Sequence, residues 1–293
     1  MDVEEAPFGK EVVDGILDNP TIQAVGFVGS TPIAQYIYGR AATNGKRAQC
    51  QGGAKNPVVI MPDADLDTAI RIIGDSAFGC AGQRCAAVSL VMTVGEAQKP
   101  FTEAMVQASA ARTVGDGLQE GIMMGPVISD AARERIEHTV EEGIKAGAQV
   151  ELEGRDTVIP GYEGGYFIKP TILSNVSPEN PLARTELFGP VVSMTHVNTL
   201  EEAIGTINRG SYGNMACIFT GSGAAARKFR NEVEAGDIGI NIGIAAPMAY
   251  FPFSGWKDSF FGDMHGQAMD AVEFFTQKKV VVERWPKEWS RKF

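Results

Sequence analysis

The chain has 293 residues, of which 44% are hydrophobic and 21% charged, the make-up of an ordinary soluble globular protein with room for one large or two ordinary cores. Its formal net charge of -10, with no basic cluster longer than the tail pair Arg291-Lys292, argues against a nucleic-acid-binding surface. No apolar run approaches membrane-spanning length; the longest, around residues 90–94, stops within a few positions.

The opening residues, MDVEEAPFGK, are acidic and offer neither the apolar core of a secretory signal nor the arginines of a mitochondrial presequence. Residues 24–28 then read as a buried strand. Gly29-Ser30-Thr31 turns it into a helix over residues 32–42, with Pro32 just inside the start, where a missing N–H matters little. A second unit runs from a strand at 58–60 to a helix at 65–77, with Leu66, Ala69, Ile70 and Ile73 on one face and Asp65 as the N-cap. Further helices are expected over 99–111, 130–146, 200–209 and 223–232, and strands over 90–94, 191–195, 216–219 and 238–241. Two stretches rich in glycine and proline, 154–170 and 243–262, interrupt this alternation, and loops of that length inside a compact domain are often functional. The chain closes with a helix over 267–275 and a β-branched strand over 278–283 that could complete a sheet in another subunit. Alternating strands and helices predict an α/β fold with a largely parallel sheet.

Four cysteines, Cys50, Cys80, Cys85 and Cys217, lack the paired spacing of a zinc site, and in a chain this large they do not suggest a disulfide scaffold. The three histidines, His138, His196 and His265, show no ligand spacing, so no metal is expected. The most informative segment is Phe78-Gly79-Cys80-Ala81-Gly82-Gln83-Arg84-Cys85-Ala86. A loop of small residues can expose a thiol, and an adjacent arginine favours the nucleophilic thiolate. Taken alone that signal is weak, because a free cysteine is usually a small buried hydrophobe, and Cys50, Cys80 and Cys217 keep that reading. Gly29 and Ser30 open a helix after a strand, where free N–H groups attract a pyrophosphate, although many such turns bind nothing.

The run GQRCAA resembles the nucleophile segment of the aldehyde dehydrogenase family, and other segments match in the same order. Phe27-Val28-Gly29-Ser30-Thr31 resembles the family's FTGST turn, and Glu186-Leu187-Phe188-Gly189-Pro190-Val191 its EIFGPV segment. Gly125-Pro126, Gly165-Tyr166-Phe167, Pro170-Thr171, Phe219-Thr220, Asn241 and Pro252-Phe253-Ser254-Gly255-Trp256-Lys257 fall where the family has similar residues. The likeness runs from about Phe8 to Trp285. Family members that hydrolyse their thioester carry a glutamate general base in an ELGGK motif; here the matching stretch is Gln51-Gly52-Gly53-Ala54-Lys55-Asn56. A neutral amide cannot take a proton from water at neutral pH, so hydrolysis should be slow. With GFVGSTPIAQYIY and GAKN, this resembles the CoA-acylating, methylmalonate-semialdehyde type of the family; the bland reading of Gln51 is a drifted residue in a dead site.

The resemblance implies Cys85 as the nucleophile, and Arg84 as the group that binds the substrate carboxylate, a role suited to a guanidinium. It implies Glu186 on the nicotinamide ribose hydroxyls, Phe188 beside the nicotinamide, and Gly29 and Ser30 at the pyrophosphate. The bland readings are a surface ion pair for Arg84, a solvated loop acid for Glu186 and an ordinary core phenylalanine for Phe188. The implied layout is a partial, Rossmann-like NAD-binding domain over 1–53, a catalytic domain over 54–265, and an oligomerisation helix and strand over 266–293. The implied reaction oxidises methylmalonate or malonate semialdehyde, with NAD as hydride acceptor and coenzyme A as acyl acceptor, to propionyl-CoA or acetyl-CoA with loss of carbon dioxide. It belongs to valine, pyrimidine and inositol breakdown. The family's oxyanion asparagine, its adenine-ribose lysine and a second substrate arginine have no counterpart here, so the chain by itself is expected to bind NAD weakly, to turn over poorly, and to need a second copy or a complementary chain. A homo-oligomer, and a homotetramer by family, is implied, in the cytoplasm of a bacterium or the mitochondrial matrix of a eukaryote. The rival readings are an ordinary hydrolytic aldehyde dehydrogenase and an inactive homologue kept as a structural or binding component.

Overall fold

The computed structural model describes residues 7–286 of the chain. In chain order the elements are α1 (Pro7–Asp18), β1 (Ala24–Val28), α2 (Thr31–Thr43), β2 (Arg47–Gln51), β3 (Asn56–Ile60), α3 (Leu66–Phe78), β4 (Val88–Val94), α4 (Gln98–Ala110), α5 (Asp130–Lys145), β5 (Gln149–Leu152) and β6 (Thr171–Ser174). They continue with α6 (Pro181–Arg184), β7 (Val191–Val197), α7 (Leu200–Arg209), β8 (Tyr212–Gly213), β9 (Met215–Phe219), α8 (Gly223–Glu232), β10 (Asp237–Ile240), β11 (Trp256–Lys257), β12 (Phe260–Phe261) and α9 (Ala268–Phe275).

Four helices, α3, α5, α7 and α8, start at a capping side chain. Asp65 accepts from the Thr68 N–H, Ser129 from Ala132, Thr199 from Glu202 and Ser222 from Ala225, each satisfying an N–H that the first helical turn leaves without a partner. The strands gather into a seven-stranded sheet of order β10-β9-β3-β4-β7-β6-β5, parallel throughout except for β5 at its edge. Helices cover both faces, so the central strands are apolar on both sides: every residue of β3 is buried. Val58 and Val91 point to the face packed with Phe78, Phe101, Met105 and Ile136, whereas Val59 and Met92 point to the face packed with Ile204 and Phe229.

A second, three-stranded sheet has the order β1-β2-β12, with β1 and β2 parallel and β12 antiparallel to β2. Leu17, Ala34, Ile37, Ala41 and Cys50 form its core beneath α1 and α2. The chain passes from this sheet to the larger one within residues 52–55. Two later elements return across that line. β12, expected inside the catalytic domain, joins β2, and α9, expected in an oligomerisation segment, lies against β1 and β2. The Arg47 guanidinium sits 5.7 Å from the Phe274 ring and donates to the Thr276 carbonyl at 2.8 Å. The expected strand at 278–283 is not formed: among the described residues nothing pairs with this run, and Val280 and Val282 are 86% and 92% exposed. A β-branched run becomes a strand only when an edge is offered to it. The tail pair Arg291-Lys292 lies outside the described residues.

Candidate active site

The loop that carries Cys85 follows α3. A tight turn over Gly79–Gly82 puts three successive residues in the left-handed region: Cys80 (φ 54°), Ala81 (φ 54°) and Gly82 (φ 71°). Gly82 has no room for a side chain, since a Cβ there would lie 2.1 Å from the carbonyl oxygen of Gly189. The turn is thereby seated directly on the loop that carries Glu186 and Phe188. The Gln83 carboxamide fastens the other side, accepting from the Ile128 N–H at 2.8 Å and donating to the Cys80 carbonyl at 3.1 Å.

Cys85 itself is exposed, but its backbone is not free. Its carbonyl accepts from the Nδ2 of Asn56 at 2.8 Å and from the Nδ2 of Asn214 at 3.0 Å, and Asn56 also donates to the Ala87 carbonyl at 2.9 Å. Both asparagines are buried, at 2% and 7% exposure, so these bonds form where water does not compete. Asn56 opens β3 and Asn214 precedes β9, neighbouring strands of the large sheet. The thiol therefore stands on a rigid mount.

Glu186 lines a small crevice together with Ala54, Asn56, Gly82, Arg84 and Phe188; Cys85 follows Arg84 in the chain but is not itself in the crevice walls. Burial pushes its carboxyl up to about 6, against the pull of the Ala54 N–H and of the Lys55 and Arg135 charges. Lys55 is buried with no hydrogen-bond partner for its ammonium, and desolvation pushes it down to about 7, with Glu186 opposing. A Cβ at Gly53 would lie 2.6 Å from Glu186 Oε2, so a side chain there would push the carboxylate aside. The Gly29-Ser30-Thr31 turn is tied in through Thr31, whose Oγ1 accepts from the Gly53 N–H at 2.9 Å and donates to the Asp258 carbonyl at 2.8 Å. The Gly29 N–H reaches the Gln51 carbonyl at 3.0 Å, and Ser30, at the N-cap of α2, makes no side-chain cap bond. The pairs Gly29–Gln51 and Thr31–Gly53 thus tie the turn before α2 to the segment that leads into β3.

Several bland readings fail on this geometry. Glu186 is half-buried rather than solvated, and Phe188, at 42% exposure and φ 51°, is no core residue. Among the described residues no carboxylate lies within 4 Å of the Arg84 guanidinium, so it is not held in an ion pair. The reading of Cys80 as a buried hydrophobe is corrected: it is exposed, because its left-handed backbone turns it out of the helix end, and it accepts from Arg84 Nη2 at 3.2 Å. Cys50 and Cys217 are buried, with desolvation pushing their thiols up to about 11 and about 12. His196 bonds to Thr93, and His265 stacks on Phe260. No set of three or more potential ligands is placed to hold a metal among the described residues. A larger cavity of about 390 Å³ borders Lys55 among Leu90, Arg184, Ile207, Arg209 and Tyr212, but Cys85 is not in its walls. Sequence reasoning missed Asn214, Tyr212 and the mounting role of Asn56; only Asn56 lay inside a matched segment.

Residues 6–281 match the profile of the aldehyde dehydrogenase family. The chain belongs to that family. It is 46% identical over 276 residues to malonate-semialdehyde dehydrogenase 2 of Geobacillus kaustophilus, covering 94% of this chain and 57% of the relative. The malonate-semialdehyde dehydrogenase of Pseudomonas aeruginosa is 42% identical over 282 residues, covering 96% and 57%. Among solved structures, methylmalonate-semialdehyde dehydrogenase from Oceanimonas doudoroffii superimposes with a TM-score of 0.94 at 42% identity, over 97% of this chain and 58% of that one. An NAD complex of a candidate methylmalonate-semialdehyde dehydrogenase from Sinorhizobium meliloti gives 0.93 at 43% identity, over 95% and 57%. The chain therefore spans somewhat more than half the length of these relatives. Its fold is the aldehyde dehydrogenase fold, α/β with a mixed sheet.

Two outcomes are expected of this site. Asn56→Ala strips a buried donor from the Cys85 and Ala87 carbonyls and should lower stability by about 1–3 kcal/mol in urea melts; a loss below about 0.5 kcal/mol would remove the asparagine from the mount. The folded protein holds the Glu186 proton more tightly than the unfolded chain does. Its stability share is full below the usual value of 4.5 and is lost as pH rises through about 6. Glu186→Gln stays neutral throughout, so relative to the unmutated protein it should gain about 1–2 kcal/mol between pH 4 and pH 8. A relative loss over that range, in denaturant melts at the two pH values, would show that the carboxylate is stabilised rather than strained by its surroundings.

Proposed function

We propose that this chain carries the thiol site of a CoA-acylating aldehyde dehydrogenase acting on malonate or methylmalonate semialdehyde. The observation that carries the reading is an exposed Cys85 on a rigid mount beside Arg84, a half-buried cation with no carboxylate partner among the described residues. The names of the relatives, all of which describe semialdehydes of dicarboxylic acids, support it.

The residues present fit NAD. The α2 N-terminus has no side-chain cap, leaving its N–H groups to a pyrophosphate, and Glu186 is kept uncrowded by the missing side chain of Gly53. Glu186 as carboxylate would accept from the nicotinamide ribose hydroxyls, and Phe188, held out in left-handed backbone, would line the ring. When bound, NAD supplies the hydride acceptor that converts the adduct on Cys85 into a thioester.

The chain's own residues do the rest. The Cys85 thiolate attacks the aldehyde carbon while Arg84 holds the distal carboxylate in place. Gln51, standing where hydrolytic relatives have a glutamate, cannot take a proton from water, so the thioester waits for a thiol. Coenzyme A displaces Cys85, and the β-carboxylate of the skeleton is lost as carbon dioxide. The exposed run Val280-Val281-Val282 fits a strand offered to another copy of the chain, which would put a homo-oligomer in the working form.

With the chain joined to the N-terminal part of one of these relatives, following NADH with and without coenzyme A tests the reading: turnover should depend on the thiol, and propionyl-CoA should exceed free propionate. Gln51→Glu should raise propionate release. Rapid propionate release by the unmutated protein would overturn the acylating assignment. Cys85→Ala should abolish turnover of every aldehyde, whereas Cys80→Ala should leave propanal oxidation intact; equal loss from both would remove Cys85 as the sole nucleophile.

A further inference from the structure

We infer that Gly79 and Cys80 form a cradle that holds the Arg84 guanidinium in place for a substrate carboxylate, which makes them positioning residues that determine substrate specificity. This rests on the reading of Arg84 given above.

Gly79 is the first sign. Its backbone (φ -58°, ψ 135°) is one that any residue adopts, so conformation does not explain the glycine. Space does. A Cβ at this position would lie 2.7, 2.8 and 2.9 Å from Nη1, Nη2 and Cζ of Arg84, so the guanidinium rests directly on the Gly79 backbone. Cys80 is the second sign. It takes a left-handed conformation that disfavours a side chain, and the result is an Sγ placed 3.2 Å from Arg84 Nη2.

The chemistry of the contact matters as much as its geometry. Sulfur is a weak acceptor, so it orients the guanidinium without cancelling its charge. Arg112 provides the contrast. It packs against a glycine in the same way, Gly74, but it closes on Asp75 at 2.7 Å and its side chain is 11% exposed. That arginine is spent on structure. Arg84 has a cradle, no counter-ion among the described residues, and a place in the wall of the crevice that Glu186 and Phe188 also line.

The test needs neither cofactor nor turnover. Iodoacetate and iodoacetamide alkylate a thiolate by the same step: Sγ displaces iodide, a C–S bond forms and a C–I bond breaks. They differ only in carrying a carboxylate or a carboxamide. The rate ratio of the two at Cys85, read peptide by peptide by mass spectrometry, reports a guanidinium aimed at the incoming carboxylate. Arg84→Leu should lower the ratio about tenfold, the weight of one charge-assisted bond. Gly79→Ala keeps the charge and an unstrained backbone but displaces the guanidinium, and should lower the ratio nearly as far. Cys80→Ala should lower it in part, and Cys80→Ser, which keeps an acceptor, should restore it. If Arg84→Leu leaves the ratio unchanged, the carboxylate role of Arg84 itself fails. If Arg84→Leu lowers it while Gly79→Ala and Cys80→Ala do not, the cradle is refuted and the role of Arg84 stands. Equal slowing of both reagents in the Gly79 and Cys80 variants would likewise refute it, as damage to the thiol loop rather than loss of aim.

Discussion

The carbonyl of Cys85, gripped by two buried carboxamides, is the constraint on which the rest of the site depends. A reactive thiol must be exposed, and exposed loops move. Here the side chain is left free while the peptide behind it is bonded to Asn56 and Asn214, which stand on adjacent strands of the large sheet. The same Asn56 terminates the crossing between the two sheets, so the Cys85 loop, the glycine pair at 52–53 and the start of the large sheet are positioned by one another. Rigid support beneath an open reactive atom is what a near-attack geometry requires.

Around that mount the charges are kept few and costly to hold. Lys55 and Glu186 are each pushed toward their neutral forms by burial, and each pulls the other back. A pair balanced this way responds to whatever enters the crevice. A diol beside Glu186 would replace some of the lost solvation of its carboxylate, and the site thereby favours a ligand that brings hydroxyl groups over one that brings only apolar surface.

Much of the fold was legible because its signals are local. The helices at 200–209 and 223–232 begin at capping side chains and carry a clear apolar face, so pattern and structure agree to the residue. β2 was not legible: in Arg-Ala-Gln-Cys-Gln the alternating apolar residues, Ala48 and Cys50, are small and neither β-branched nor aromatic, so the signal is weak, and the strand is set by β1 and β12 on either side. The run 278–283 erred in the opposite direction, with strong β-branched character and no edge to satisfy it. At the candidate site, Cys85, Arg84, Glu186 and Phe188 were singled out through motifs, and the last three line one crevice. Asn214 sits in no motif, and its part depends on a contact with residues far away in sequence. Cys80 was misjudged because average cysteine burial cannot foresee a left-handed turn.

The pairing of β2 with β12 has a consequence for how the polypeptide matures. Cys50 and Gln51 meet Phe261 and Phe260 in register, so the last strand of the small sheet comes from the opposite end of the chain. On a ribosome, β2 therefore emerges long before its partner and must wait with one edge unpaired while the whole catalytic sheet is made. Contacts so distant in sequence close slowly, and an open edge during that wait is an invitation to other nascent chains. The strand that waits is polar, reading Arg-Ala-Gln-Cys-Gln, and opens on the exposed Arg47. A more hydrophobic sequence would make a stickier template, so the composition that hid this strand from pattern reading also shields it during synthesis.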